Sequence, residues 1–297
     1  MTQLPPIPTT LVCYVVYTQS VSMIHHLSAF FSSSILNHSA TPTTTTTTTL
    51  LTITLLLTLA LALYSIRKDY LAWLALGPGG LPPTPKGYLH ICLLRPFALR
   101  NPLAPPRLSP TLHPRDGFLA SSSSTTTLPN RPGPRPTVQG IAPHRQTTQA
   151  GDATTYKSLK THLSSIADTH AHSHGLYVDT SCFEKHSVGI FCAPGFCFRA
   201  TCKGEVCHAH PSDGSLHLTL HPADVRVVLE KGWGERHPMA REEEGCWWWA
   251  LVKRWDSAVP AGFVMVYAPR DEEEVAVVLE IVWAAVGWVS GKDLKDC

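Results

Sequence analysis

The sequence predicts an α+β protein: a single compact domain of mixed strands and helices behind an N-terminal membrane-anchor helix. Three observations carry that prediction. Residues 50–66 form an apolar run; beyond Thr154, apolar residues recur alternately with strand period and helix period; and 44% hydrophobic content over 297 residues is ample for a packed core.

The leader comes first. No Asp, Glu, Lys or Arg occurs before Arg67, which makes residues 1–49 an uncharged, low-complexity leader. The following run, "LLTITLLLTLALALYSI", is interrupted only by small hydroxylated residues and Tyr64. Extended back into the threonine run, it reaches the roughly 20 residues that a helix needs to cross the hydrocarbon core. A secretory signal would carry a basic n-region, which is missing here, whereas Arg67 and Lys68 directly after the run place the following side in the cytosol. The expectation is a single-pass membrane protein with its C-terminal domain facing the cytosol.

Residues 67–153 read as a basic arm rich in Pro, Ser and Thr. From Arg67 to Lys160 there are 12 Lys and Arg against 3 acidic residues; the rest of the chain holds 12 against 19. Such a collar favours anionic lipid, at about 1 kcal/mol per near-surface cation. Nothing interleaves aromatic with basic residues as a nucleic-acid platform does, so no nucleic-acid partner is expected. The proline-rich passage, "SSSSTTT" and "PNRPGPRP" favour extended chain, a wrapping arm or linker.

The predicted domain covers 154–292. Leu159, Leu163 and Ile166 lie on one helical face ahead of "THAHSHG", with Gly175 as the stop. "LYVDT" and "CFEKHSVGIFC" read as strands, and "SLHLTL" puts Leu216, Leu218 and Leu220 on one face with His217 and Thr219 on the other. "HPADVRVVLEKGWG" is a short helix with Pro in its first turn and a stop at Gly232. "GFVMVYAPR" is a strand. "DEEEVAVVLEIVWAAVGWV" is a helix with acids at its positive end and a stripe of Val275, Val278, Leu279, Val282 and Val286.

No dinucleotide fingerprint, P-loop or G-x-S-x-G elbow is present, so no nucleotide cofactor is expected. Cys192, Cys197, Cys202 and Cys207 recur every five residues, unlike the short knuckles of structural zinc sites, and nine cysteines cannot all pair. Reduced thiols of a cytosolic domain are the expectation. The histidines are the stronger candidates. His208 and His210 share a side of an extended segment, His217 lies on the polar face of the next strand, and His237 follows in "GWGERHP". Glu205 and Asp213 supply carboxylates to orient an imidazole or to complete a metal shell.

At these residues the chain resembles the fungal luciferase family. The resemblance is carried by "EVCHAHPSDGSLHLTLHPADVRVVLEKGWGERHPMA" and "GFVMVYAPRDEEEVAVVLEIVWAAVGWV", and upstream by "IRKDYLAWLALGPGG", "KGYLHICLL", "RPGPRPTVQGIAPHRQTTQ" and "FEKHSVGIF". It implies an enzyme that oxidises a hydroxylated pyrone, 3-hydroxyhispidin, with O₂ as co-substrate. The reaction passes through a strained peroxide that loses CO₂ and leaves an excited product, with no nucleotide and no other cofactor. It implies that His208, His210, His217 and His237 line the pocket, with one as base and another donating to the developing oxyanion. Glu205 and Asp213 orient them, while Trp233 and Arg236 provide an aromatic wall and a cation for the substrate.

Two other functions are open to the same residues: a divalent-metal enzyme built on the His/Glu cluster, or a non-catalytic membrane-anchored module that binds a small aromatic or polyketide ligand. The segment 241–261, "REEEGCWWWALVKRWDSAVPA", departs from the family pattern as an insert. Three adjacent tryptophans cannot all face one core, so it reads as a lid or a partner-binding patch.

Overall fold

A computed structural model describes residues 42–110, 112–119, 128–199, 201–240 and 259–292. Residues 1–41 of the leader, the Ser/Thr run and most of the tryptophan-rich insert lie outside these residues. The chain divides into two units, residues 1–70 and 71–297.

Helix α1 (Pro42–Ala75) is twice the predicted length. Within it, Thr46–Ala75 is long and apolar enough to cross a membrane. At 1.5 Å per residue it runs about 45 Å, more than the hydrocarbon thickness. Leu57, Leu61 and Leu63 are exposed, as lipid-facing side chains are. Its hydroxyls are compatible with an apolar medium because they bond back one turn: Thr52 to Thr48 O (2.9 Å), Thr54 to Leu50 O (2.8 Å), Thr58 to Thr54 O (2.8 Å) and Ser65 to Leu61 O (2.8 Å).

The second unit is built on a six-stranded antiparallel sheet. Its strands are β3 (Leu176–Thr180), β4 (Val188–Cys192), β5 (Glu205–Ala209), β6 (Leu216–Thr219), β7 (Gly234–Arg236) and β8 (Phe263–Val266), in the spatial order β3-β4-β5-β6-β8-β7. Strands β1 (Val138–Gly140) and β2 (His144–Gln146) form a separate hairpin. Helix α2 (Pro85–Leu94) follows α1 in the chain, with Thr84 accepting from Gly87 N and Pro85 in the first turn.

One sheet face is apolar. Helix α3 (Ala153–Thr169) presents Leu159, Leu163 and Ile166, and α6 (Glu272–Ser290) presents Val278, Val282 and Val286, all buried in one core with Leu216, Leu218, Val264 and Val266. Asp152 and Asp271 cap these helices by accepting from Thr155 N (2.7 Å) and Glu274 N (2.8 Å). A short helix α4 (Ala171–His174) ends at Gly175 in the left-handed conformation (φ 63°), the predicted stop. Helix α5 (Pro222–Glu230) buries Val225, Val228 and Leu229 as its periodicity requires.

Three expectations change. Residues 67–153 are not a linker ahead of the domain, because the compact unit starts at Leu71 and the arm packs into it. Trp73 Nε1 donates to Ala142 O (3.0 Å), Arg131 N to Lys231 O (2.8 Å) and Arg135 to Gly234 O (2.9 Å). Arg131 and Arg145 are thereby buried, which removes two of the collar's cations from any lipid surface. Second, the cysteines are not all reduced thiols: Cys182 and Cys202 form a disulfide. Such bonds belong to oxidising compartments and oppose the cytosolic side inferred from Arg67 and Lys68. Third, "CFEKHSVGIFC" is a strand only from Val188; Cys182–His186 form the turn before it.

Candidate histidine site

The face opposite the helices carries the polar residues. Register sets them in a row: Gly189 pairs with His208, His208 with His217, His217 with Met265, and Met265 with Glu235. This face is not solvated. The β1–β2 hairpin lies over it, and His144 stacks on His217 with ring centroids 5.3 Å apart and planes 7° from parallel. Phe263 stacks on His217 at 5.0 Å, and Phe183 packs on Phe263 at 4.8 Å. The five rings of His144, His208, His210, His217 and His237 are all buried.

Each ring has a defined partner. His208 Nδ1 lies 2.6 Å from Glu205 Oε1. Simple alternation would put residues 205 and 208 on opposite faces; an irregularity in the pairing, Ile190 with Cys207 but Phe191 with Glu205, inserts one extra residue and turns Glu205 inward. Glu205 also accepts from Ser181 Oγ (2.6 Å) and Cys182 N (2.8 Å). His210 Nδ1 lies 2.9 Å from Ser215 Oγ, which donates to Asp213 Oδ1 (2.7 Å). Asp213 Oδ2 accepts from Gln146 N (3.0 Å) and so ties the hairpin to the β5–β6 turn.

His237 has both ring nitrogens committed. Nδ1 accepts from Met239 N (3.1 Å), so Nε2 carries the hydrogen and donates to Ile141 O (3.0 Å). It fixes backbone and has no free lone pair to offer a substrate proton. His144 Nδ1 lies 3.1 Å from His217 Nε2, and its Nε2 lies 3.7 Å from Glu235 Oε1; Tyr267 donates to the other Glu235 oxygen (3.1 Å).

Burial sets the electrostatics. It pushes His210 down to about 3, against partial relief from Asp213. Burial and neighbouring rings hold His217 and His237 well below the usual imidazole range. Asp213 is raised by burial, but bonds from His210 and Ser215 outweigh that and hold it below the usual carboxylate range. Burial thus disfavours charge on the rings of His210, His217 and His237, while Asp213 is held ionised beside them.

Of the eight residues predicted from sequence, six lie in this site: Glu205, His208, His210, Asp213, His217 and His237. Trp233 and Arg236 do not reach it. Trp233 is 1% exposed and donates from Nε1 to Pro129 O (2.7 Å), fastening the arm. Arg236 points to the opposite side of β7 from Glu235 and His237, and its guanidinium donates to Ala104 O and Ala240 O. The aromatic side chains beside these rings are Phe183 and Phe263. The structure adds His144, Ser215 and Glu235, which no spacing singles out as site residues; all three lie in segments that carry the family resemblance, and Glu235 shares parity with His237. The thiols take no part: burial pushes Cys192 and Cys207 up to about 12, and among the described residues the potential metal-holding groups are histidines only.

Fold and site together define a class: an antiparallel α+β domain with carboxylate-backed imidazoles enclosed on one face of its sheet, suited to acid–base or ligand chemistry away from water. Sequence comparison places it further. A model of the luciferase domain matches residues 203–285. The chain is 31% identical over 246 residues to the luciferase of Neonothopanus nambi, covering 78% of this chain and 84% of that protein, and 31% identical over 245 residues to the luciferase of Armillaria ostoyae, with the same coverage. It is also 31% identical over 249 residues to that of Armillaria mellea, covering 77% of this chain and 84% of that protein. The chain belongs to the fungal luciferase family. No solved structure matches it.

Proposed function

We propose that this protein is a membrane-anchored, O₂-dependent oxygenase that acts on a hydroxylated pyrone or related polyketide. The observation that carries the reading is the bare, carboxylate-backed nitrogen of His208. Glu205 only accepts, so His208 Nδ1 donates to it and Nε2 keeps its lone pair. An acidic enol gives up its proton at such a nitrogen, and the imidazolium so formed lies against Glu205. The enolate is the electron-rich species that adds O₂; the peroxide closes and loses CO₂, both oxygen atoms of O₂ being reduced as the pyrone carbon skeleton is oxidised. Phe183, Phe263 and the hairpin keep water from the anion. Light emission depends on the product leaving in an excited state.

The test uses the full chain in detergent with 3-hydroxyhispidin, following pyrone loss, O₂ uptake and photons together. Pyrone loss matched by O₂ uptake supports the reading, and photons then separate a light-emitting enzyme from a dark relative. Folded protein that leaves both pyrone and O₂ unchanged rejects this substrate.

A further inference from the structure

We propose that His208 Nε2, His210 Nε2 and His217 Nδ1 form a binding site for one divalent first-row transition-metal ion. The argument is a proton inventory and does not rest on the oxygenase reading. Glu205 can only accept, so the hydrogen of His208 sits on Nδ1 and Nε2 is bare. Ser215 gives its single hydrogen to Asp213 Oδ1, so Ser215 Oγ accepts from His210 Nδ1. That leaves His210 Nε2 bare as well, in a ring that is 0% exposed, and this nitrogen has no hydrogen-bond partner.

His217 is fixed through His144. Glu235 Oε1 lies 3.7 Å from His144 Nε2, too far for a hydrogen bond, and its charge draws the His144 hydrogen to that side; His144 Nδ1 then accepts from His217 Nε2 (3.1 Å). The bare nitrogen of His217 is then Nδ1, 3.4 Å from His208 Nε2. The three ring systems offer ligand atoms within 4.8 Å of one another.

His210 Nε2 is a buried acceptor without a partner, which is destabilising, and two lone pairs 3.4 Å apart on His208 Nε2 and His217 Nδ1 repel. A cation removes both penalties. The 3.4 Å separation between His208 Nε2 and His217 Nδ1 is about the edge of a tetrahedron whose metal–nitrogen bonds are about 2.1 Å. Each ligand has its other nitrogen backed by a carboxylate: Glu205 directly, Asp213 through Ser215, Glu235 through His144. That outer layer is what orients metal-binding imidazoles. The nearby cation Arg145 is paired with Glu184. An all-nitrogen set suits zinc, iron, cobalt, nickel or copper and disfavours magnesium and calcium, which need oxygen.

His237, although close to His144 and His217, is excluded because both its nitrogens are committed to backbone. A cation at these nitrogens occupies the His208 lone pair, so metal binding and proton abstraction by that nitrogen are alternative states of the site, which O₂ uptake by metal-free protein separates.

The test is metal content by mass spectrometry on the full chain, purified in detergent with neither a polyhistidine tag nor chelator. About one first-row transition-metal ion per chain is expected. His208→Ala and His210→Ala should each lose it, and His237→Ala should keep it. Because the alanine variants risk misfolding, chelator-stripped wild-type protein is titrated with Co(II) and with Zn(II). The expected results are ligand-field absorption saturating at one equivalent and a higher melting temperature. A metal-free wild type that gives neither signal overturns the site, as does stoichiometric binding that survives both His208→Ala and His210→Ala. O₂ uptake by metal-free protein would remove the metal from the reaction while leaving the oxygenase standing.

Discussion

The two faces of the central sheet come from the same strands and differ by one residue of parity, yet they solve opposite problems. On the helix side, Leu216, Leu218, Val264 and Val266 meet α3 and α6, and each buried aliphatic side chain contributes about 1.5–3 kcal/mol by leaving water. On the hairpin side, His208, His217 and Glu235 occupy the alternate positions under an arm that denies them water. Burying them costs free energy unless every donor and acceptor is matched. The first face holds the domain together and the second is carried by it. That division implies that damage to one should appear as lost stability and damage to the other as lost chemistry.

The sharpest break of the comparison is Glu205→Gln. The amide keeps the volume but loses the carboxylate that fixes the His208 tautomer, so pyrone turnover should fall by about 10²–10⁴. Melting temperature should move little by comparison. Equal loss of turnover and fold would show that the two faces are not separable.

Acid breaks that division: protonation, unlike a neutral substitution, puts charge into the buried histidine face and should therefore cost stability as well as chemistry. Below about pH 6.5 the unfolded chain takes up protons that folded His210 refuses until about pH 3, with His217 and His237 also held well down by burial. The unfolded state then binds more protons, so the stability present above pH 6.5 drains away as pH falls through that window. Asp224 opposes this. Burial raises it to about 6, so it favours the fold more as pH drops from 6 toward 3.8, but it opposes those three rings and also His221, which burial pushes down to about 4. Thermal melts of chelator-treated protein at pH 7.5, 6.5 and 5.5 check the direction; a flat or rising melting temperature would contradict it.

Leu218→Ala, on the apolar face and fully buried, should cost about 2–5 kcal/mol. It should lower the melting temperature at every pH without flattening the acid response. A change in the response itself would mean that the cavity reaches the histidines.

Opening the Cys182–Cys202 disulfide, which spans 20 residues, should cost about 3 kcal/mol and loosen the Ser181–Cys182 turn that donates to Glu205. Thiol alkylation under non-reducing conditions, together with protease protection in sealed microsomes, reads bond and compartment in one experiment. A reduced pair on a protease-accessible domain supports the cytosolic side; an oxidised, protected one supports the lumen.

Periodicity made most of the scaffold legible. Leu159, Leu163 and Ile166, the valines of α6, and the alternation of β6 are buried where their spacing puts them, because each pattern is local and each element has one apolar side. Parity also brought His208, His210 and His217 to one face. It failed at Glu205, where an extra residue in β5 reverses the direction that alternation assigns. Composition failed for the arm: its prolines and cations suggested solvated chain, but Arg131 N and the Arg135 side chain donate to Lys231 O and Gly234 O, and Arg145 pairs with Glu184, partners that no local pattern reveals.

By itself, then, the sequence determined the long apolar N-terminal helix, the helices and strands of the domain, and the identity of most rings in the site, since these follow from near-neighbour spacing and hydrophobicity. Only the tertiary structure decided that His144 stacks on His217 across 73 residues, that Glu235 backs it, that His237 is committed to backbone and that Trp233 and Arg236 serve the frame. Those outcomes depend on which donors meet which acceptors once water is excluded, and long-range pairing of that kind leaves no periodic trace in the chain.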